Sequence, residues 1–371
     1  MNHTKQSTIL ISMMKKKIIY VNFHRSNYKN YQEFELQQSN VLSFKSEIAA
    51  KFQIFYLLNN NLKLDECKKN VYLKSKQLNN LLFLIYCILF IRKQKAHFVI
   101  IHGLDYFIEG AFIKWFTGSK MILQHHAEKT YLRKKAILMP LADKWIDAYF
   151  FNGSEIAKPF LQKKCISSVN KIHQVAEGSS NFNPIPEKQI SSVRQLVFIG
   201  RLNENKNLIT LLKAISILKT KRSNFNLSIY YTTNELEQEL KTYSEKNTLN
   251  EFVKFKGAVS QIEIETVLNQ SDIFVSCSLY EGSGYSLIEA LACGVFPVVS
   301  HIPAFDFLLE GLNEKEQFDP MNETELADKL HKILNLEYTD TIKHSVRNHF
   351  EKKCSNKAIA LQIESVLSQL T

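Results

Sequence analysis

The sequence predicts an α/β protein made of two doubly wound, Rossmann-like domains, and three observations carry that expectation. At 371 residues the chain exceeds the usual size of one domain. Short runs rich in β-branched and aromatic residues alternate with longer stretches of helical length, the pattern of a parallel sheet wound with helices. That rhythm runs twice, interrupted by one polar stretch, Glu177 to Arg194, which contains Asn-Pro and Ile-Pro and has no periodicity. Hydrophobic residues at 45% supply two cores, and a charged fraction of 22% excludes a disordered chain.

In the first half the expected strands are Lys17–Phe23, Phe52–Leu58, Phe98–His102, Met121–Gln124, Ala148–Asn152 and Ile172–Val175. Helical spacing is expected over Ser75–Lys93, Tyr106–Phe116 and Arg133–Lys144. The apolar run Leu81–Ile91 is far shorter than the roughly 20 residues that span a bilayer, so it reads as a buried helix. In the second half strands are expected at Gln195–Ile199, Asn226–Tyr231, Phe252–Phe255, Ile273–Ser276 and Phe296–Val299. Helices are expected at Leu208–Lys219, Asn234–Glu245, Glu263–Asn269, Tyr285–Cys293, Glu323–Leu334 and Asn356–Leu370. The expected domains are residues 1–180 and 195–350, joined by a linker at 181–194, with a terminal segment 351–371 that packs back on the first domain. Sheets of this kind bind ligands at the carboxyl ends of their strands.

Charge is uneven. Residues 1–190 hold 28 Lys/Arg against 13 Asp/Glu, a net of +15, and residues 191–371 hold 19 against 23, a net of −4. The basic half suits an anionic partner: an acidic membrane surface, a lipid-phosphate acceptor or a nucleic acid. Solvated Lys-rich faces give the same count. The six cysteines have no metal-ligand spacing and read as reduced thiols of a cytosolic protein. In Met1–Lys17 the basic cluster follows the apolar patch, the reverse of a secretory signal. A cytoplasmic protein, peripheral on the inner face of the membrane, is expected.

The stretch Ser271–Ser300 carries the chemistry. An apolar strand ends in a loop with Glu281, Gly282, Ser283 and Gly284, and a helix beginning at Tyr285 follows. Glycines let backbone approach a ligand closely, and a helix start stabilises phosphate. Glu289 lies eight positions after Glu281, and each carboxylate can accept two hydrogen bonds from adjacent hydroxyls. Upstream, Gly200-Arg201-Leu202 and Lys206 place two cations in a strand-to-helix loop, where they can neutralise a leaving diphosphate. Solvated cations and a plain turn at Gly257 are the bland alternatives for that loop and for Phe255–Ser260. In the first half, Lys120–Ala127 ends a strand with His125 and His126, either of which can bind a phosphate or sugar hydroxyl. A structural histidine pair explains them equally.

These motifs resemble the retaining nucleotide-sugar glycosyltransferases of family 4 (group 1), which adopt the GT-B fold of two Rossmann-like domains facing across a cleft. EGSGYSLIEALACGVFPVV matches their Glu–seven residues–Glu signature position by position. The resemblance implies transfer of a sugar from a UDP-, GDP- or ADP-sugar to an acceptor hydroxyl, with retention at the anomeric carbon and no other cofactor. It gives Glu281 the donor sugar, Glu289 the ribose, and Arg201 with Lys206 the diphosphate. Gly282, Ser283, Gly284 and Tyr285 line the donor, the loop with Gly257 and Val259 supports the base, and His126, in preference to His125, faces the donor sugar. Phe151–Ser154 and Ala176–Gly178 sit where the family closes its first domain, the acceptor side. A glycan or lipid-linked acceptor is implied, in polysaccharide or lipopolysaccharide assembly, with no nucleic acid. The family's glycine-rich loop after the first strand is missing: Gly103 is the first glycine, and His24, Arg25 and Lys29 stand in that region. No Asp-x-Asp or His/Cys cluster marks a metal site, so metal-independent transfer is expected. A nucleotide-dependent oxidoreductase would need an early Gly-x-Gly-x-x-Gly turn, which is absent. The remaining alternative is a basic membrane- or nucleic-acid-binding protein on a catalytically silent transferase scaffold.

Overall fold

The computed structural model describes residues 15–126, 134–185, 193–336 and 340–371. The chain divides into two compact units, residues 1–179 with 356–371, and residues 180–355.

The first unit is an eight-stranded sheet in the order β3-β4-β2-β1-β5-β6-β7-β8. Its elements are β1 (Lys17–Ser26), α1 (Tyr31–Ile48), β2 (Gln53–Asn60), β3 (Asp65–Lys68), β4 (Val71–Ser75), α2 (Asn80–Gln94), β5 (Phe98–His102), α3 (Phe107–Thr117), β6 (Lys120–Gln124), α4 (Lys134–Ala142), β7 (Ala148–Phe151), α5 (Ser154–Gln162) and β8 (Ile172–Gln174). The central strands are buried on both faces, as a sheet covered by helices requires. The C-terminal helix Asn356–Gln369 belongs to this unit and packs on α1. Four elements were not anticipated. Helix α1 is largely polar; Asn30 caps it by accepting from the Glu33 N–H, and its packing on the C-terminal helix fixes it. The β3–β4 hairpin turns through Lys69 and Asn70, both left-handed (φ 48° and 63°), without the glycine that signals such turns. Helix α5 starts at Ser154, with Gly153 as its N-cap residue.

Helix α2 departs from expectation. Only Phe83, Leu84, Cys87 and Ile91 are buried, whereas Leu81, Leu82, Ile85 and Leu89 face outward. A run that is apolar all round cannot tell from sequence which face the sheet will cover. No described helix is long and apolar enough to cross a membrane.

The second unit is a six-stranded sheet, β11-β10-β9-β12-β13-β14, in which every pair is parallel. In chain order it comprises β9 (Arg194–Gly200), α6 (Leu208–Leu218), β10 (Phe225–Tyr231), α7 (Glu237–Lys246), β11 (Val253–Gly257), α8 (Gln261–Gln270), β12 (Ile273–Ser276), α9 (Tyr285–Ala292), β13 (Phe296–Ser300), α10 (Pro303–Leu309), β14 (Glu316–Phe318), α11 (Glu323–Leu334) and α12 (Asp340–Lys353). Helices α10 and α12 and strand β14 were not anticipated. The core runs through Leu196, Phe198, Leu211, Ile229, Val275 and Val298. Strand order reverses between β9 and β12, the position where doubly wound sheets open a crevice at their carboxyl ends.

Of the expected linker, residues 186–192 lie outside the described residues. The part before them is tied into the second unit: the Asn183 N–H donates to Glu265 at 2.8 Å, and the Ile185 N–H to Asn269 at 2.8 Å.

Candidate functional site

Two loops leave the sheet side by side at the switch point, one after β9 and one after β12. They are joined by backbone and side chain: the Leu279 N–H donates to the Asn205 carbonyl at 2.8 Å, and Asn205 Nδ2 donates to the Tyr280 carbonyl at 2.9 Å. The first loop is shaped by asparagines. Asn203 accepts from the Lys206 N–H at 3.1 Å. Asn207 is left-handed (φ 49°) and anchored to the Pro320 carbonyl at 2.7 Å. Lys206 is thereby held pointing across to the second loop, where its Nζ pairs directly with Glu281 Oε1. Ser278 Oγ donates to the same carboxylate oxygen at 2.7 Å. Lys206 and Glu281 each keep only 13% of their side-chain surface exposed, so the pair sits in an environment that screens it weakly. Arg201 is exposed on the same loop and, among the described residues, forms no ion pair.

The Glu281–Gly284 turn leads straight into α9. Gly284, at its start, is left-handed (φ +67°), and a Cβ there would lie 2.9 Å from Leu308 Cδ1 and 3.2 Å from the Phe305 ring. Only glycine fits both the backbone angle and the space. Gly282 is buried, Ser283 half-buried and Tyr285 exposed around the positive end of the helix dipole. One turn into α9, Glu289 is buried and accepts from Gln261 Nε2 at 2.5 Å. Gln261 opens α8 directly after the Gly257–Ser260 loop, which is closed by a capping box between Ser260 and Glu263. Half-buried Gly257 and Val259 are thus linked to Glu289 through one side chain. Gln261 was missed in the sequence, although the Ser-x-x-Glu spacing marks the helix start that places it.

Burial raises the Glu289 carboxyl from 4.5 to about 7, against the opposing effect of the Gln261 hydrogen bond. The native state therefore keeps a proton that the unfolded chain releases above pH 4.5. The stabilisation from this group is complete below that pH and is lost as pH rises to about 7. Glu289→Gln is expected to flatten that part of the Tm–pH profile, measured by thermal melts at half-unit steps; an unchanged slope would show that Glu289 ionises normally.

In the first unit His125 and His126 differ sharply. His125 is buried, its ring 5.0 Å from Phe151 and its N–H donating to the Phe150 carbonyl at 2.8 Å. His126 has 52% of its side chain exposed at the carboxyl end of β6, and its Nδ1 bonds the buried Glu177 carboxylate. Asn152 holds Glu177 in turn, its Oδ1 accepting from the Glu177 N–H at 2.7 Å. A carboxylate on Nδ1 fixes the orientation and tautomer of an imidazole. His102 lies beside it, ring centroids 4.4 Å apart, and burial lowers its imidazole to about 4. The sequence expectation that no residues cluster as metal ligands needs correcting: the donor atoms of His102, His126 and Glu177 lie within 4.8 Å of one another. Their separation along the chain hid the group. Within the group, the buried carboxylate engages His126. His24, Arg25 and Lys29 are exposed around the carboxyl end of β1.

Residues 183–358 match the family described as "Glycosyl transferases group 1". A GDP-mannose:cellobiosyl-diphosphopolyprenol alpha-mannosyltransferase of Xanthomonas campestris is 29% identical over 113 residues, 30% of this chain and 30% of its own length. An amylovoran biosynthesis glycosyltransferase of Erwinia amylovora is 27% identical over 205 residues, 52% of this chain and 47% of its own. The chain thus spans less than half the length of these relatives. Likeness to solved structures extends over the whole molecule. A glycosyltransferase of Rickettsia africae superposes with a TM-score of 0.76 at 15% identity, covering 96% of this chain and 99% of its own. Anabaena HepE, solved with UDP and glucose, superposes with a TM-score of 0.69 at 14% identity, covering 95% and 100%. The fold is that of the GT-B glycosyltransferases.

Proposed function

We propose that this chain transfers a sugar from a nucleoside diphosphate donor to an acceptor hydroxyl, with retention at the anomeric carbon as in family 4. The observation that carries the reading is the paired Lys206 and Glu281 at the β9/β12 switch point, with the buried Glu289 one turn into the helix that follows. In this reading the ion pair is a resting arrangement. An arriving diphosphate takes Lys206 and Arg201, and Glu281 is released to accept hydrogen bonds from the donor sugar. Charge builds on the diphosphate as its bond to the sugar breaks. The two cations, with the start of α9, stabilise that charge through groups already in place. Glu289 holds the ribose and the Gly257–Val259 loop supports the base. We assign His126, oriented by Glu177, to the donor sugar or its phosphate.

The relatives support a nucleotide-sugar donor: one is named for GDP-mannose, and one similar structure was solved with UDP. The same mannosyltransferase is named for a lipid-diphosphate acceptor, and the relatives' names support a place in cell-surface polysaccharide assembly. A net charge of +15 over residues 1–190 suits an anionic, lipid-linked acceptor. Radiolabelled UDP-, GDP- and ADP-sugars incubated with the chain test the reading. One donor is expected to turn over and Glu281→Ala to abolish the reaction; wild-type rates in that variant would refute the site.

A further inference from the structure

We propose that the first unit docks on an anionic phospholipid surface through the outer face of α2, α3 and α4. The inference is independent of the donor chemistry, because it rests on the first unit, whereas the donor loops belong to the second. Helix α2 turns Leu82, Ile85 and Leu89 outward, at spacings of three and four residues. Helix α3 does the same with Ile108, Phe112 and Trp115, and α4 with Ile137, Leu138 and Leu141. Helix α3 packs against both neighbours, so the three stripes form one surface. Each helix is apolar towards the sheet and apolar again towards solvent, the opposite of an ordinary amphipathic surface helix. Contiguous exposed apolar surface of this kind marks an interaction site.

The aromatic content identifies the occupant. Both tryptophans of the chain, Trp115 and Trp145, lie on this face with ring centroids 6.5 Å apart, and Phe116 is 5.2 Å from Trp115. Trp115 is 64% exposed. Amphipathic rings of this kind favour the headgroup layer of a bilayer. Charge agrees. At the strand-start edge, where α2 and α3 end, an open cavity of about 620 Å³ is lined by Lys16, Arg92, Lys95, His97 and Lys120, with no acidic side chain. Lys144 is exposed next to Trp145. The described residues between 80 and 145 carry eight Lys/Arg against three Asp/Glu. Of the nearby acids, Asp105 is paired with Lys135 at 2.6 Å, Asp147 with Lys114 at 2.8 Å and Lys120 at 3.7 Å, Asp143 is buried against Lys171, and Glu109 on α3 is half-buried. A second copy of the chain would bring the same positive charge to the same face, whereas phosphatidylglycerol brings the complement. Apolar helices lying in the interface with cations beside them make a peripheral contact, not a spanning one.

Vesicle sedimentation of the full chain tests this, using 70:30 phosphatidylcholine:phosphatidylglycerol against pure phosphatidylcholine. The wild type is expected to sediment with the anionic vesicles and to be released by high salt. Because the only tryptophans sit on this face, their emission is expected to shift to the blue on binding. The exposed double substitution Trp115→Ser/Leu141→Ser is expected to keep the wild-type Tm while lowering partitioning at least ten-fold. Arg92→Glu/Lys95→Glu is expected to remove the preference for phosphatidylglycerol. Three results would overturn the proposal: wild type left in the supernatant with both vesicles, binding without a fluorescence shift, or unchanged partitioning of the serine variant. A lipid-free dimer that the serine variant converts to monomer, measured by light scattering, would assign the face to a second copy instead.

Discussion

Lys206→Met is expected to lower donor turnover by about 100- to 1,000-fold, the usual loss when one preorganised donor to a developing negative charge is removed. The ion pair makes the result harder to read than that number implies. Lys206 touches Glu281 directly, and with the cation gone the carboxylate keeps Ser278 but has lost its compensating charge. Breaking a poorly solvated pair in this way costs stability as well, by about 3 kcal/mol. A second substitution separates the two effects. In Lys206→Met/Glu281→Gln the charge imbalance is gone, so the urea midpoint is expected to recover much of its wild-type value while turnover stays low. If the pair were only a structural clasp between the β9 and β12 loops, the double variant would recover turnover along with stability. The measurement is kcat/KM with labelled donor beside urea melts of the three variants.

Gly284→Ala has the second largest expected effect, and it acts through shape. The residue must adopt φ +67°, which costs an L-residue about 1–2 kcal/mol, and its new methyl would stand 2.9 Å from Leu308 and 3.2 Å from Phe305. Overpacking adds about 1–3 kcal/mol. The loop can relax only by moving α9, which carries Glu289 and begins four residues after Glu281, so donor binding falls with stability. Gly257 provides the control. It is also left-handed (φ +73°), but nothing lies within 4 Å of a Cβ there, so its alanine variant is expected to lose only the backbone cost. Urea midpoints compare the two; equal losses would show that the packing of Gly284 on α10 does not fix the loop.

Much of this site was readable because its signals are local. A β-branched run, a loop with two glycines and an apolar helix sit within Ser271–Ser300, and strand, turn and helix appear there in that order. The cations of the β9 loop were readable as residue types, but their pairing was not, since 75 positions separate Lys206 from Glu281. Long-range partners hid the rest. Gln261 reaches Glu289, Asn152 holds Glu177, and Glu177 orients His126, and only the sheet topology brings those residues together. The apolar run Leu81–Ile91 failed for a different reason. Its composition fixes a helix but leaves open how much of the surface the sheet covers, and the uncovered half is the face proposed to meet the membrane. Helix α1 gave no signal because its stability comes from the C-terminal helix packed on it, not from its own pattern.

In the proposed function the loops after β9 and β12 form a single receptor for a nucleoside diphosphate. Equilibrium titration of the full chain with UDP, GDP and ADP measures this without any acceptor. One nucleotide is expected to bind saturably, at least ten-fold more weakly to Lys206→Met, with Glu289→Gln weakening the nucleoside end separately. Absence of binding by all three nucleotides, or wild-type affinity in both variants, would contradict it.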